Sequence, residues 1–205
     1  VGVGILGVSS SAAQTSVSVT GISVDGSDNS AQGLVVDLSS IAVSTLDVSD
    51  ITVENVGGNA GVDVTTADVS SDQPLAFTDI KVNSTTTNNE GILITTTSTL
   101  NEVAVDANAT NVGGNGIDVT GVQADTLSLN GTEVNQAGSN AIQINPGNTD
   151  TVVADGLTID NNGGNGVALT AGTTDTTLTI TGATITDNTN AGVDILQDAD
   201  VTVNV

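Results

Sequence analysis

The fold class this sequence predicts is an all-β solenoid, a chain wound into stacked coils of three short strands each. Three observations predict it. A short phrase returns four times, as Asn115-Gly116-Ile117-Asp118-Val119, Asn140-Ala141-Ile142-Gln143-Ile144, Asn165-Gly166-Val167-Ala168-Leu169 and Asn190-Ala191-Gly192-Val193-Asp194-Ile195. The lead apolar residues 117, 142, 167 and 193 are 25, 25 and 26 residues apart, and a fixed period of about 20–50 residues marks an array of stacked units. Within each phrase apolar and outward residues alternate with period 2, the pattern of a half-buried strand and not of a helical stripe.

The first strand of each coil carries two inward residues, at Val17/Val19, Leu46/Val48, Leu75/Phe77, Val103/Val105, Leu127/Leu129, Val152/Ala154, Leu178/Ile180 and Val201/Val203. A tight corner follows at Gly21, Asp50, Asp79, Gly131, Gly156 and Gly182. Gly and Asp both tolerate the left-handed backbone that such a corner demands. The second strand runs Ile22/Val24, Ile51/Val53, Ile80/Val82, Ala107/Ala109, Thr132/Val134, Leu157/Ile159 and Ala183/Ile185. The coil near residues 100–112 departs furthest from the pattern, with Asn108 between two alanines.

A polar loop rich in Asn and Gly comes third, as in Asp160-Asn161-Asn162-Gly163-Gly164-Asn165. The third strand carries Leu34/Val36, Val62/Val64, Ile92/Ile94, Ile117/Val119, Ile142/Ile144, Val167/Leu169 and Val193/Ile195. A connection of variable length closes the coil, so that Val24, Val53 and Val82 are 29 residues apart against 25 later on. Extra length in a loop costs little. The stacked Asn115, Asn140, Asn165 and Asn190 are expected to bond to one another, side-chain amide to side-chain amide.

Repeat length, three strands per coil and the Asn-Gly loops together resemble the right-handed parallel β-helix family, the fold of pectate lyases and of many long bacterial surface and secreted proteins. The resemblance covers residues 17–205 and implies about seven coils, a rod on the order of 35 Å at ~4.8 Å per coil. Residues 1–16 are read separately, as an apolar strand forming an irregular first coil or a pairing arm. The same stretch also looks like the tail of a secretion signal, but the leading positive region is missing.

Composition narrows the function. There are 24 acidic residues and one cation, Lys81, for a formal net charge of −23, with no His or Cys and a single Phe. A nucleic-acid binder must replace counterions with cations, which excludes that class. Anionic membranes are disfavoured on the same ground, and no apolar run approaches the ~20 residues that span a bilayer. Disulfide staples are ruled out. The acidic surface points to salty or calcium-containing surroundings outside the cell.

Enzymes of the resembling family would be expected to hold acidic polysaccharide with Arg or Lys and to stack sugars on aromatic rings. Those parts are absent here. Ser/His and Cys/His nucleophiles are impossible without His or Cys. Two carboxylates could in form serve as acid and base, yet no His, Arg or Tyr orients them, and the chain is read as no enzyme. The one cofactor considered is calcium, a hard cation wanting six to eight oxygen ligands. Its candidate ligands are Asp125, Asp150, Asp175 and Asp200, which recur every 25 residues at the entry to the first strand, together with Asp198. The competing reading is a solvated acidic edge. Three Asn-x-Ser/Thr triplets, at Asn83, Asn108 and Asn130, fit chance in so Asn- and Thr-rich a chain. The outward columns of strands two and three form no regular Thr array of the kind an ice-binding face would want.

The ends carry more. Val201-Thr202-Val203-Asn204-Val205 reads as one more first strand, apolar and alternating, and residues 1–8 are equally apolar. Open solenoid ends leave backbone groups and core unsatisfied unless they pair. The expectation is a structural extracellular solenoid that partners itself by end-to-end strand pairing, as a filament subunit or the stalk of a bacterial surface adhesin. The alternative is a carbohydrate-binding or carbohydrate-active β-helix, with surface glycans as ligands.

Overall fold

A computed structural model describes residues 2–6, 15–26, 33–58, 60–69, 74–85, 89–170, 176–196 and 201–204, the last four and residues 15, 68 and 84 as backbone alone. Among them are seventeen strands and no helix, and every strand pairing is parallel. The chain is a parallel β-solenoid of about six turns, close to the seven coils that the repeats imply.

The strands stack into three faces. Face A takes the first strand of each coil, with Leu46 over Leu75, Leu75 over Val103 and Val103 over Leu127. Face B takes the second, with Ile51 over Ile80 and Ile159 over Ile185. Face C takes the third, where Ile92, Ile117, Ile142, Val167 and Val193 form one column. Several strands bend from one face to the next without a break in pairing, so that Leu34–Val56 serves faces C, A and B in turn. The inward columns are those the alternation predicts, and in the middle coils they are buried, Phe77 included. Parallel sheets covered on their inner face select Val, Ile and Leu in this way.

The corner residues Gly21, Asp50, Asp79, Gly131, Gly156 and Gly182 all lie in the left-handed region, with φ between 53° and 68°. The irregular coil is explained by a deletion at this corner. Phe77 pairs with Val105 and Ile80 with Ala107, so three steps along one coil match two along the next. A second left-handed column, not expected from the sequence, ends face B at Asn55, Asn111, Gln136, Asn161 and Asp187.

The small residue opening each third strand has a steric cause. A Cβ at Gly116 would lie 2.6 Å from the Ala141 carbonyl oxygen, and one at Gly61 would lie 2.7 Å from that of Gly91. Successive coils approach too closely there for most side chains.

Several inward hydroxyls donate hydrogen bonds to backbone carbonyls of the coil before. Thr132 donates to the Val105 carbonyl at 3.3 Å, Thr149 to Val122 at 3.0 Å and Thr176 to Thr149 at 2.9 Å. Thr66 is the exception: its Oγ1 is buried with no partner among the described residues.

The asparagine column corrects the amide-to-amide expectation. Asn115 Oδ1 accepts the backbone N–H of Asn140 at 3.1 Å, Asn140 Oδ1 that of Asn165 at 2.8 Å, and Asn165 Oδ1 that of Ala191 at 3.0 Å. The amide nitrogens turn to outward side chains instead, Asn115 to Asp118 and Asn140 to Gln143. A backbone N–H in the turn needs an acceptor, and the side-chain carbonyl supplies it. Asn190 drops out of the column because the last period is one residue longer, which brings Ala191 to that position.

Candidate functional site

Three places gather what the sequence singled out: the two open coil edges, the acidic entry to face A, and a groove on face B. At one edge, among the described residues, Val3–Leu6 pairs only with Leu34–Asp37, and Thr15–Asp25 pairs only with strand Leu34–Val56. At the other, Thr184–Thr186, Val193–Leu196 and Val201–Asn204 each have a neighbour on one side only among the described residues. The cores open with them in part, although Val19 and Val24 of the first coil are buried. Ile5, Val17 and Ile22 at one edge, and Ala183, Ile185, Val193 and Ile195 at the other, are only partly buried, whereas their equivalents one coil inward are sealed. Among the described residues three large apolar side chains stand exposed, Val3 at 38%, Leu6 at 70% and Leu196 at 62%, and all three belong to these edges.

Of the candidate calcium ligands, Asp125 and Asp150 are exposed and lie side by side, one residue before the paired Thr126 and Thr151. Beyond them the ladder shifts, since Thr151 pairs with Thr177, an offset of 26 residues and not 25. Asp175, Asp198 and Asp200 lie outside the described residues. Among the described residues no group of three acidic side chains is placed to hold a metal ion.

Face B carries a groove of about 340 Å³. Its floor is the outward column Thr52, Lys81, Asn108 and Glu133, and Asn83 and Asn111 line its rim. The Asn111 amide donates to Asn83 Oδ1 at 3.3 Å across the rim. Lys81 Nζ donates to Asp79 Oδ1 at 2.6 Å. That hydrogen bond, and then the charges of Asp79, Asp50 and Asp106, raise the affinity of Lys81 for its proton. The lone cation is thus already engaged with the acidic corner. The groove offers amides, hydroxyls and carboxylates, which suit a neutral hydroxylated ligand better than an anion.

No protein-family model matches this chain, and no curated protein or solved structure is similar to it at a meaningful level. Its chemistry therefore rests on its own residues.

On face C, Asp63 is half-buried, and loss of water, with the charge of Asp37 adding to it, raises its pKa against the opposing bond to Thr65. Asp37 moves the other way because the Ser39 hydroxyl and backbone N–H both donate to its Oδ1, at 2.6 and 3.0 Å. The sequence reading missed the groove altogether. Its signal is the polar outward column Thr52, Lys81, Asn108 and Glu133, which has no threonine regularity but gathers polar side chains on one face.

Proposed function

We propose that this chain is a structural, non-catalytic β-solenoid that works outside the cell by stacking end to end, as a filament subunit or as a stalk segment of a bacterial surface adhesin. The observation that carries the reading is the pair of open edges. Every coil boundary inside the protein is a parallel ladder over a sealed apolar core, and each edge presents one half of such a boundary. Two complementary halves on opposite ends make a heterologous contact, which propagates and does not close. Exposed strand edges with half-covered apolar residues favour pairing over solvent.

No catalytic group is assigned, and none of the His- or Cys-based nucleophiles can be built from this composition. No cofactor is required in this reading; calcium would enter only as a bridge between acidic side chains of the Asp125 and Asp150 column.

Electron microscopy of the purified chain across a concentration series tests the proposal. Rods are expected whose lengths are multiples of one unit, about 38 Å at ~4.8 Å for each of the eight strands stacked on face C. Particles of a single unit length at all concentrations would refute it.

A second reading is favoured by the groove on face B, whose amides and hydroxyls could hold a sugar chain laid across the coils. Isothermal titration with neutral and acidic oligosaccharides, repeated on Asn108→Ala, separates the two. Binding lost in that variant would support a carbohydrate role, and release of unsaturated products would overturn the non-catalytic assignment.

A further inference from the structure

One outward column of face C sets the register of the joint. In the interior coils it is polar throughout: Asp37, Thr65, Thr95 and Thr120 are successive partners, and Asn145 pairs with Thr120. Thr170 continues it, one residue past Leu169 as Asn145 is one past Ile144. At its two ends the column turns apolar. Leu6 pairs with Asp37 at one edge and Leu196 with Thr170 at the other. These two leucines are the most exposed large apolar side chains among the described residues, at 70% and 62%. An outward leucine is commonplace singly; two in one column, at opposite ends and nowhere between, form a matched pair.

We infer that the end-to-end joint has a fixed register, in which Val193–Leu196 of one copy pairs in parallel with Val3–Leu6 of the next, so that Leu196 lies beside Leu6. This deepens the stacking proposed above and rests on it. The inward residues agree with the same alignment. Val193 and Ile195 continue the columns of Val167 and Leu169, while Val3 and Ile5 begin those of Leu34 and Val36. All four are incompletely covered in the single chain, and the joint places Val193 against Val3 and Ile195 against Ile5. Asp194 meets Gly4, where a Cβ would touch nothing within 4 Å, so no second carboxylate opposes it.

The order of strands along the chain then lays residues 202–204 on the next copy's 16–18 on face A, so that Val203 falls on Val17. Face B has one strand fewer than the other two among the described residues, so the joint leaves a one-strand gap there between Thr184–Thr186 and the neighbour's Ile22–Asp25. Faces C and A carry the contact.

The chain has no cysteine, which makes the register directly readable. Neighbouring parallel strands are ~4.8 Å apart, within the ~4.4–6.8 Å between Cα atoms that a disulfide spans. L6C and L196C are prepared separately, checked for unchanged far-UV circular dichroism, mixed in equal amounts and oxidised mildly at about 0.5 M salt to screen the net charge. The mixture is expected to give a covalent dimer, and each variant alone is expected to stay monomeric on a denaturing gel. L6C mixed with D194C, two residues out of register, is expected to give none.

Cross-linking of L6C with D194C, or rods by microscopy without the L6C–L196C product, would overturn the register while leaving end-to-end stacking in place. Self-cross-linking of L6C would point to a two-fold contact and overturn the heterologous joint. Absence of both product and rods would take the stacking proposal down as well. As an independent check without cysteine, L196D is expected to raise the concentration needed for half-assembly by about tenfold or more; an unchanged value would overturn the leucine contact.

Discussion

Replacing Thr66 by valine should make this protein more stable, although it removes a hydroxyl from an ordered interior. Thr66 points into the core from face C, 2% exposed, stacked between Leu38 and Thr96. Its backbone carbonyl accepts from Thr97 at 3.3 Å, but its Oγ1 has no partner among the described residues. A buried polar group without a partner costs about 1–3 kcal/mol, and valine keeps the shape and the β-branch. A gain of about 1 kcal/mol is expected, or about 2–4 °C in Tm for a chain of this size. The control is Thr149→Val. That hydroxyl donates to the Val122 carbonyl at 3.0 Å, and the same carbonyl keeps the Gly147 N–H at 2.8 Å. Only one hydrogen bond is lost and no acceptor is orphaned, so a loss of about 0.5–1.5 kcal/mol is expected. Thermal unfolding followed by far-UV circular dichroism, at a concentration too low for assembly, reads both. Opposite signs are the outcome that matters. If Thr66→Val lost stability as Thr149→Val does, the Thr66 hydroxyl would have to be bonded in solution, and the assignment of an orphaned group would fall.

Three further perturbations test other parts of the fold. Gly116→Ala would set a Cβ 2.6 Å from the Ala141 carbonyl and against Val134, and a loss of about 1–3 kcal/mol is expected in the same melting assay. Asp63 has its pKa raised in the folded chain, so the native state holds this proton over a pH range in which the unfolded chain has released it. The contribution of Asp63 to stability therefore falls as pH rises from its ordinary value of 3.8 through the raised folded value. Asp63→Asn should gain stability at pH 7 relative to the parent and lose that advantage below the ordinary value; equal melting differences at both pH values would refute this. Chelation probes the acidic column. With Asp125 and Asp150 as its described members, EDTA is expected to leave Tm unmoved, and a drop of several degrees would bring in Asp175, Asp198 or Asp200 as ligands.

The regular parts of this fold were legible because parallel stacking writes itself into sequence twice, as period 2 within a strand and as a period near 25 between coils. From strand Thr15–Asp25 to strand Val193–Leu196 the inward columns named from alternation are inward columns in the structure, and even the alanines of the irregular coil fall in register. The last strand departs from the reading by two residues, since Val203 and not Val201 pairs with Leu178. The left-handed corner was readable at Gly and Asp because few other residues tolerate it. The left-handed column at Asn55, Asn111, Gln136, Asn161 and Asp187 was not. It mixes residue types and lies within loops already explained by their Asn and Gly content. The asparagine column was found, but its bonding was misjudged. Fixed spacing tells which side chains share a position, not whether each meets its neighbour's side chain or its backbone, and the unpaired turn N–H decided that. Of the calcium candidates, Asp125 and Asp150 are neighbours, and Asp175, Asp198 and Asp200 lie outside the described residues.

The asparagine bonding also bears on how stability and assembly are linked. Each Asn carbonyl satisfies a donor of the following coil and not of its own, and the inward threonines reach back in the same fashion. A coil of this protein is therefore completed by its neighbours, and stability approximates a sum over coil boundaries. The end coils, with Ile22 and Ile185 half-covered, should open first. Stacking copies end to end converts two such edges into one further boundary, and association and folding then draw on the same contacts. Melting should shift upward as protein concentration rises, because assembly ligates the native state alone. Hydrogen exchange should slow at the backbone of Val3–Leu6 and Val193–Leu196 in step with that shift, while the amides of Ile117–Asn130, already enclosed, stay unchanged. A melting temperature independent of concentration, over a range in which rods are seen to lengthen, would separate the two and refute a boundary built like those inside the chain.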